Sequence, residues 1–342
     1  MDKNSENILP IIDNLKHIVS PFANQYFVGH RSQRNFLTKM VTNNNLHHAL
    51  LFTGKKGIGK FTLAFRFAYN LINNGDDLFK NPVLSSSLWR QMVQNVSANF
   101  LYIRKAYDET TKKFKQYITV DDVSTIKKFL NYNNDSYNII IIDAIDDLNI
   151  NSSNAILKIL EEPPKNTIFI LISHKDKPIL PTIKSRCMRL NFLPLSDEEV
   201  LNSLEHCLEV DSFSKAKAED IVKKACGSVG KASELYLTDA FKIEESLISF
   251  LNIKKLNIAS LQSLLDNAEH EQIKEATLNY VSDLAKELSN NASIFQANKL
   301  CLLWKDIQHR LNMIENYNLD KNQELFNIIV ELYNIKKEHE KI

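Results

Sequence analysis

Residues 50–62 read LLFTGKKGIGKFT, the most informative stretch of this sequence. The apolar run predicts a short buried strand, and the spaced glycines predict a turn that leads into a helix. Such glycines let backbone N–H groups converge on phosphate oxygens, while the helix N-terminus adds its dipole and Lys60 adds a positive charge. The stretch therefore predicts a phosphate loop, with candidate nucleotide-binding residues Gly54, Gly57, Gly59, Lys60 and Thr62.

Position 61 departs from this pattern. Phe61 stands where a small hydroxyl normally binds magnesium, and its side chain has no oxygen. Thr62 lies one residue later, which is about 100° further round a helix, so its hydroxyl does not simply replace the missing one. We therefore expect ATP and magnesium to bind weakly or not at all, and we expect no cofactor to be required.

A second apolar run lacks another residue that ATP hydrolysis normally requires. Residues 137–143 read YNIIIID, which predicts a buried parallel strand with Asp143 at its carboxyl end, placed to hold magnesium through water. In an active ATPase of this type a glutamate usually follows to orient the attacking water, but here the next residue is Ala144. We expect Asp146 and Asp147 to be solvated at a helix start. These features predict that the chain does not hydrolyse ATP.

The pattern around these motifs alternates strands with helices, which predicts an α/β fold with a parallel sheet and helices on both faces. A helix is expected from about Ser152, with Asn151, Ser152 or Ser153 as its cap, and Pro163 ends it. Glu161 and Glu162 are expected to be solvated or to face a partner. The other predicted helices are 60–71 and 121–130, and the predicted strands are 50–53, 117–120, 139–143, 167–173 and 188–192.

Beyond Leu195 the strand pattern stops, and helical periodicity continues to the end of the sequence. We predict an α/β domain over residues 1–195, a helical lid over 196–243 and an all-helical domain over 244–342.

Composition excludes several classes of protein. Lys plus Arg is 42 and Asp plus Glu is 41 in 342 residues, so no strong overall field attracts nucleic acid. The four cysteines are far apart in sequence, which disfavours a zinc module and a disulfide framework. The N-terminus is polar, and no apolar run approaches the ~18 residues of a membrane span. We expect no zinc, no membrane segment and a cytoplasmic protein.

Two further stretches carry a family resemblance. Residues 149–164 read NINSSNAILKILEEPP, and residues 180–187 read LPTIKSRC. In this order they resemble the δ′ family of bacterial DNA polymerase III clamp-loader subunits, which have an AAA+ fold, and the likeness covers residues 26–235. Many clamp-loader subunits insert a four-cysteine zinc module before the acidic strand, but residues 71–138 contain no cysteine.

The resemblance implies a place in a five-subunit ring that opens a sliding clamp and loads it on primed DNA, with the tau or gamma motor subunits and the delta subunit as partners. Arg186, between Ser185 and Cys187, would then act in trans as an arginine finger on the γ-phosphate of a neighbour's ATP. Ser173 and Lys231 match the two sensor positions, and for Ser173 a structural hydrogen bond is expected. The C-terminal helices would form the collar of the ring.

Two other interpretations remain open. A motor subunit of the same loader, or another AAA+ ATPase, would hydrolyse ATP itself, but Phe61 and Ala144 count against it. A DNA-binding protein would use its C-terminal helices, where Lys254, Lys255, Lys336 and Lys337 form small basic pairs that solvated helix faces explain more simply. With no intrinsic ATPase, the chain would contribute to DNA polymerase activity only as part of the assembled holoenzyme.

Overall fold

The computed structural model describes residues 17–108, 110, 113–131, 137–174, 179–210, 213–238, 240–252, 257–268, 270–291, 301–310 and 320–339. The chain forms two compact units, Met1–Glu234 and Leu235–Ile342. The predicted limits at 195/196 and 243/244 stay predictions. Lys254 and Lys255 lie outside the described residues.

The first unit is built on a five-stranded parallel sheet with the order β2-β5-β6-β1-β7. This sheet confirms the predicted α/β fold of the AAA+ type. A separate antiparallel ribbon pairs β3 with β4. The strands are β1 (Ala49–Thr53), β2 (Phe100–Ile103), β3 (Tyr107–Asp108), β4 (Lys113–Phe114), β5 (Asn138–Asp143), β6 (Thr167–Ser173) and β7 (Met188–Asn191).

The other regular elements of the described chain are helices. In the first unit they are α1 (Arg31–Thr42), α2 (Lys60–Ile72), α3 (Ser87–Val93), α4 (Val120–Leu130), α5 (Ile150–Glu161), α6 (Pro181–Lys184), α7 (Asp197–Cys207) and α8 (Lys215–Ala225). The helix α9 (Val229–Leu237) follows, and then come α10 (Ala240–Asn252), α11 (Ile258–Asn267), α12 (His270–Asn291), α13 (residues 301–310) and α14 (Lys321–His339).

The central strands are buried on both faces because their side chains alternate between two cores. Ile139 and Ile141 of β5 pack into the core on the α2 and α3 side of the sheet. Ile140 and Ile142 pack into the core on the α4 and α5 side. This arrangement explains why the central strands read as continuous apolar runs in the sequence.

The strand predicted at 117–120 is wrong. Ile118 makes only an isolated bridge with Leu148, and Thr119 caps α4 through a capping box with Asp122. This cap turns the β-branched run into the start of a helix. The edge position of the sheet is taken by β2, which the sequence pattern did not predict.

The helix predicted from about Ser152 begins at Ile150, and its cap is Asn149 rather than residues 151–153. The side chain of Asn149 accepts a hydrogen bond from the N–H of Ser152 at 2.9 Å. The hydroxyl of Ser152 donates to the carbonyl oxygen of Ile118 at 2.8 Å. Ser152 therefore ties α5 to the segment before α4.

The second unit contains a helical core around Leu247, Leu261 and Ile328. Arg310 of α13 donates hydrogen bonds to Glu324 and Glu331 of α14, each at 2.7 Å. Among the residues described, no helix is long and apolar enough to span a bilayer.

Candidate functional site

The phosphate loop connects the carboxyl end of β1 to α2. Gly59 caps α2 with φ 93°, a left-handed conformation that L side chains rarely adopt. Lys60 is only 3% exposed, and its ammonium group donates to the carbonyl oxygens of Gly54 at 2.7 Å and Lys55 at 2.5 Å. Carbonyl oxygens of the loop thus bind the ammonium group of Lys60, which the sequence analysis predicted to contact a phosphate.

Phe61 belongs to the hydrophobic core. Its ring lies 4.9 Å from the ring of Phe22 in an edge-on arrangement and 4.9 Å from the ring of Tyr102 on β2. It is 9% exposed, and the neighbouring Thr62 is buried as well. Because an aromatic ring fixed in the core offers no oxygen, this position does not fit the hydroxyl ligand that magnesium requires in a phosphate loop.

The start of α9 is hydrogen-bonded to the tip of this loop. The N–H of Gly230 donates to the carbonyl oxygen of Gly57 at 2.9 Å, and the hydroxyl of Ser228 donates to that of Lys56 at 2.8 Å. A Cβ atom on Gly57 would lie 2.5 Å from the Ser228 hydroxyl and 3.0 Å from the Gly230 Cα. Glycine is therefore required here for close packing as well as for its φ of 76°. Lys231, the second sensor-like residue, lies in the first turn of α9 beside this contact.

His30 supports the loop from the N-terminus of α1, and the sequence analysis did not select it. Its Nε2 lies 2.7 Å from the carbonyl oxygen of Ile58, so Nε2 must carry the proton and donate. The ring packs edge-on against Phe192 at 4.9 Å. Burial lowers the pKa of His30 below its ordinary value. A neutral imidazole therefore helps to fix the loop.

The acidic strand end is also engaged within the chain. Asp143 Oδ1 lies 3.4 Å from Nε2 of His174, without hydrogen-bond geometry. Asp146 accepts a hydrogen bond from the Ser173 hydroxyl at 3.0 Å and another from the His174 N–H at 2.5 Å. The hydroxyl of Ser173, a residue that the resemblance matches to the first sensor position, thus makes a hydrogen bond within the chain.

The expectation that Asp146 and Asp147 are solvated at a helix start is wrong. The segment forms a short 3₁₀ turn, Ile145–Asp147, which folds Asp146 back onto the end of β6. Asp147 pairs with Lys105 at 3.2 Å. Ala144 is buried, with 3% of its surface exposed.

Arg186 lies at a corner between α5 and α6. Its Nη2 is 2.7 Å from Oε1 of Glu161, and its Nη1 donates to the carbonyl oxygen of Thr182 at 2.9 Å and to the Ser185 hydroxyl at 3.3 Å. The side chain remains 34% exposed. Glu161 was expected to be solvated or to face a partner. Its side chain is 49% exposed, and it also pairs with Arg186 of the same chain, a contact that was not predicted.

The two candidate sites lie at opposite edges of the sheet. The phosphate loop follows the carboxyl end of β1, whereas Arg186 precedes the amino end of β7, which pairs parallel with β1. Four paired residues separate these ends, and at about 3.3 Å per residue this is more than ~10 Å. Arg186 therefore does not reach the phosphate loop of its own chain.

The neighbouring Cys187 packs against the hydrophobic core, and burial raises the pKa of its thiol to about 11.

The fold and the loop define a class of protein, the AAA+ type of phosphate-loop domain, with a helical segment closed over the loop. Residues 29–196 match the sequence profile of a family described as DNA polymerase III, delta subunit. These 168 residues are therefore similar to this DNA polymerase III family.

Individual proteins are also similar to this chain, over 229 to 300 residues. The chain is 26% identical over 229 residues to the DNA polymerase III subunit gamma of Buchnera aphidicola from Schizaphis graminum, covering 65% of this chain and 61% of the relative. It is 24% identical over 300 residues to the Escherichia coli subunit tau, covering 85% and 44%. It is 23% identical over 268 residues to the probable replication factor C subunit 5 of Caenorhabditis elegans, covering 78% and 64%. The chain thus spans less than two thirds of each relative's length and is homologous to gamma and tau subunits.

A solved structure of a DNA polymerase III gamma subunit-related protein from Thermotoga maritima is similar to 88% of this chain and 99% of its own, with a TM-score of 0.47 and 17% identity. In the part of the chain that the structure describes, no group of three or more His, Cys, Asp and Glu residues is arranged to hold a metal ion. The expectation of no zinc stays a prediction.

Proposed function

We propose that this chain is a non-hydrolysing subunit of the δ′ type in a bacterial DNA polymerase III clamp loader, and that Arg186 acts in trans on ATP held by a neighbouring motor subunit. Its partners would be tau or gamma and delta in a five-subunit ring, which loads a sliding clamp on primed DNA in the cytoplasm. The C-terminal helices would serve as the collar.

The observation that carries this proposal is the contrast between Phe61 and Arg186. Phe61 fills the magnesium-ligand position with a core side chain, so the chain's own loop is unsuited to catalysis. Arg186 is partly exposed at the opposite edge of the sheet, beyond reach of its own loop. A guanidinium that approaches a γ-phosphate stabilises the charge of phosphoryl transfer, which is worth about 10³-fold or more in kcat for known arginine fingers.

A motor subunit is the second candidate, because the named relatives are gamma and tau subunits. Turnover of ATP by the isolated chain with magnesium separates the two. We expect no hydrolysis above background, since both the hydroxyl at position 61 and a carboxylate at position 144 are missing. Robust magnesium-dependent turnover would favour the motor.

The proposal itself is tested by Arg186→Ala in the reconstituted loader, with DNA-stimulated ATP hydrolysis as the readout. We expect assembly to be intact and the hydrolysis that depends on this interface to fall by about 1,000-fold or more. Arg186→Lys should rescue little, because an ammonium lacks the planar fork of guanidinium. Arg189→Ala is the matched control, since Arg189 is exposed on the adjacent strand β7. Equal turnover in the Arg186→Ala and Arg189→Ala loaders would remove the trans role.

A further inference from the structure

The last turn of α5 poses an electrostatic problem. Glu161 and Glu162 lie at the C-terminal end of the helix, where the helix dipole already places about half a negative charge. Carboxylates are unfavourable at this position unless a cation lies near. Arg186 supplies that cation, with its Nη2 2.7 Å from Glu161 Oε1.

The same contact fixes the arginine. Arginine has one of the largest side-chain rotamer entropies, so a free guanidinium must lose many conformations when it binds a phosphate. Here Glu161 holds Nη2 while the carbonyl oxygen of Thr182 and the hydroxyl of Ser185 hold Nη1. Nε of Arg186 makes no hydrogen bond within the described ranges of the chain, and 34% of the side chain is exposed. One edge of the guanidinium is therefore held, and the other is open to a ligand.

We propose that Glu161 is a positioning residue for Arg186, one that holds the guanidinium ready for the γ-phosphate of a nucleotide on a neighbouring subunit. This inference rests on the proposed trans role of Arg186. Glu161 touches no reacting atom, and it acts by reducing the conformational freedom that Arg186 must lose in the transition state. Its effect therefore belongs to kcat rather than to ATP binding.

The test compares Glu161→Ala, Glu161→Gln and the control Glu162→Ala in the reconstituted loader, with kcat and the KM for ATP measured during DNA-stimulated hydrolysis. Ion pairs of this exposure have small effects, so we expect kcat for Glu161→Ala to fall about three- to fivefold with KM unchanged. Glu161→Gln keeps an acceptor for the guanidinium and should recover part of the loss. Glu162→Ala should match the unchanged protein.

Salt gives a second readout on kcat, to be compared with thermal stability. Because mobile ions screen an exposed pair, the difference between Glu161→Ala and the unchanged protein should shrink as salt rises from about 0.05 M to 0.3 M. Thermal unfolding of the isolated Glu161→Ala chain checks that it folds, and we expect no loss of stability because an acid at a helix C-terminus is unfavourable.

The outcomes distinguish the positioning role of Glu161 from the trans role of Arg186. If Arg186→Ala abolishes the hydrolysis and Glu161→Ala leaves kcat unchanged or raises it, the positioning role is overturned and the trans role stands. If neither substitution changes turnover, the proposed function fails first. A fall in kcat that is equal for Glu161→Ala and Glu162→Ala also overturns the specific role of Glu161.

Discussion

The two edges of the central sheet carry two arrangements of the same kinds of polar group. At the carboxyl edge the lysine and the loop carbonyls of the phosphate loop are hydrogen-bonded within the chain, as are Ser173 and Asp146. At the amino edge Arg186 is held on one side and exposed on the other. The phosphate loop is therefore a packed, hydrogen-bonded element of this chain, whereas a partly exposed guanidinium lies at the other edge of the same sheet.

The largest expected effect concerns the packing role of the phosphate loop. Phe61→Ala should lower the free energy of unfolding by about 3–5 kcal/mol, because the ring leaves a cavity between Phe22 and Tyr102. Urea denaturation measures the change, and Phe36→Ala is the control because Phe36 is 43% exposed. A loss below about 1 kcal/mol would mean that Phe61 is not a core residue. Phe61→Ser restores the hydroxyl, and we expect it to gain no ATP turnover, since Ala144 still lacks a carboxylate.

The contact between the loop and α9 gives the next effect. Gly57→Ala forces a side chain into a left-handed conformation and brings its Cβ within 2.5 Å of the Ser228 hydroxyl. The left-handed conformation alone costs about 1–2 kcal/mol, so we expect at least this loss in unfolding free energy. Amide hydrogen exchange at Gly230 should accelerate as its bond to Gly57 weakens. Gly75→Ala is the control, because a Cβ there meets nothing nearer than 3.3 Å. Unchanged exchange at Gly230 would contradict the closed arrangement.

The smallest effect is a pH dependence that arises at His30. Burial lowers the pKa of folded His30 below 6.5, so the unfolded chain binds a proton on this ring more readily than the folded chain does. The free energy of unfolding should therefore fall as pH drops below 6.5, at a rate of up to about 1.4 kcal/mol per pH unit for one group. His30→Asn should flatten part of this slope between pH 7 and pH 5 in urea titrations. An identical slope in both proteins would show that His30 takes up its proton equally in both states.

The buried strands β1, β5 and β6 were predictable because they are apolar runs with turns at their ends. The edge strand β2 was missed although its residues, FLYI, favour a strand, because the run is only four residues long and is followed by Arg104 and Lys105. The run 117–120 misled because local propensity favours a strand there, whereas the capping box of Thr119 and Asp122 starts a helix. Local sequence patterns therefore identify buried elements, but they miss positions where a side chain forms hydrogen bonds with backbone groups and so changes the local structure.

In the candidate site, too, some features were predictable from the sequence and others depend on tertiary packing. Phe61 and Ala144 could be identified from spacing alone, because a motif fixes which residue type each position requires. The pairing of Glu161 with Arg186, separated by 25 positions in sequence, depends on how α5 and α6 pack, as does the bond between Asp146 and Ser173. Such contacts follow from tertiary structure and leave no local signal. His30 left only the weak signal of a polar residue after Gly29 at the start of a helix.

The most direct measurement of the central claim compares Lys60→Met and Arg186→Ala in the reconstituted loader under the same DNA-stimulated ATPase assay. Methionine keeps most of the buried length of Lys60 while removing its charge. The account predicts that loss of Lys60 leaves turnover within about twofold, because this chain's own loop does no chemistry, and that loss of Arg186 removes the hydrolysis at the neighbouring interface. The reverse pattern, with turnover dependent on Lys60 and indifferent to Arg186, would contradict the account.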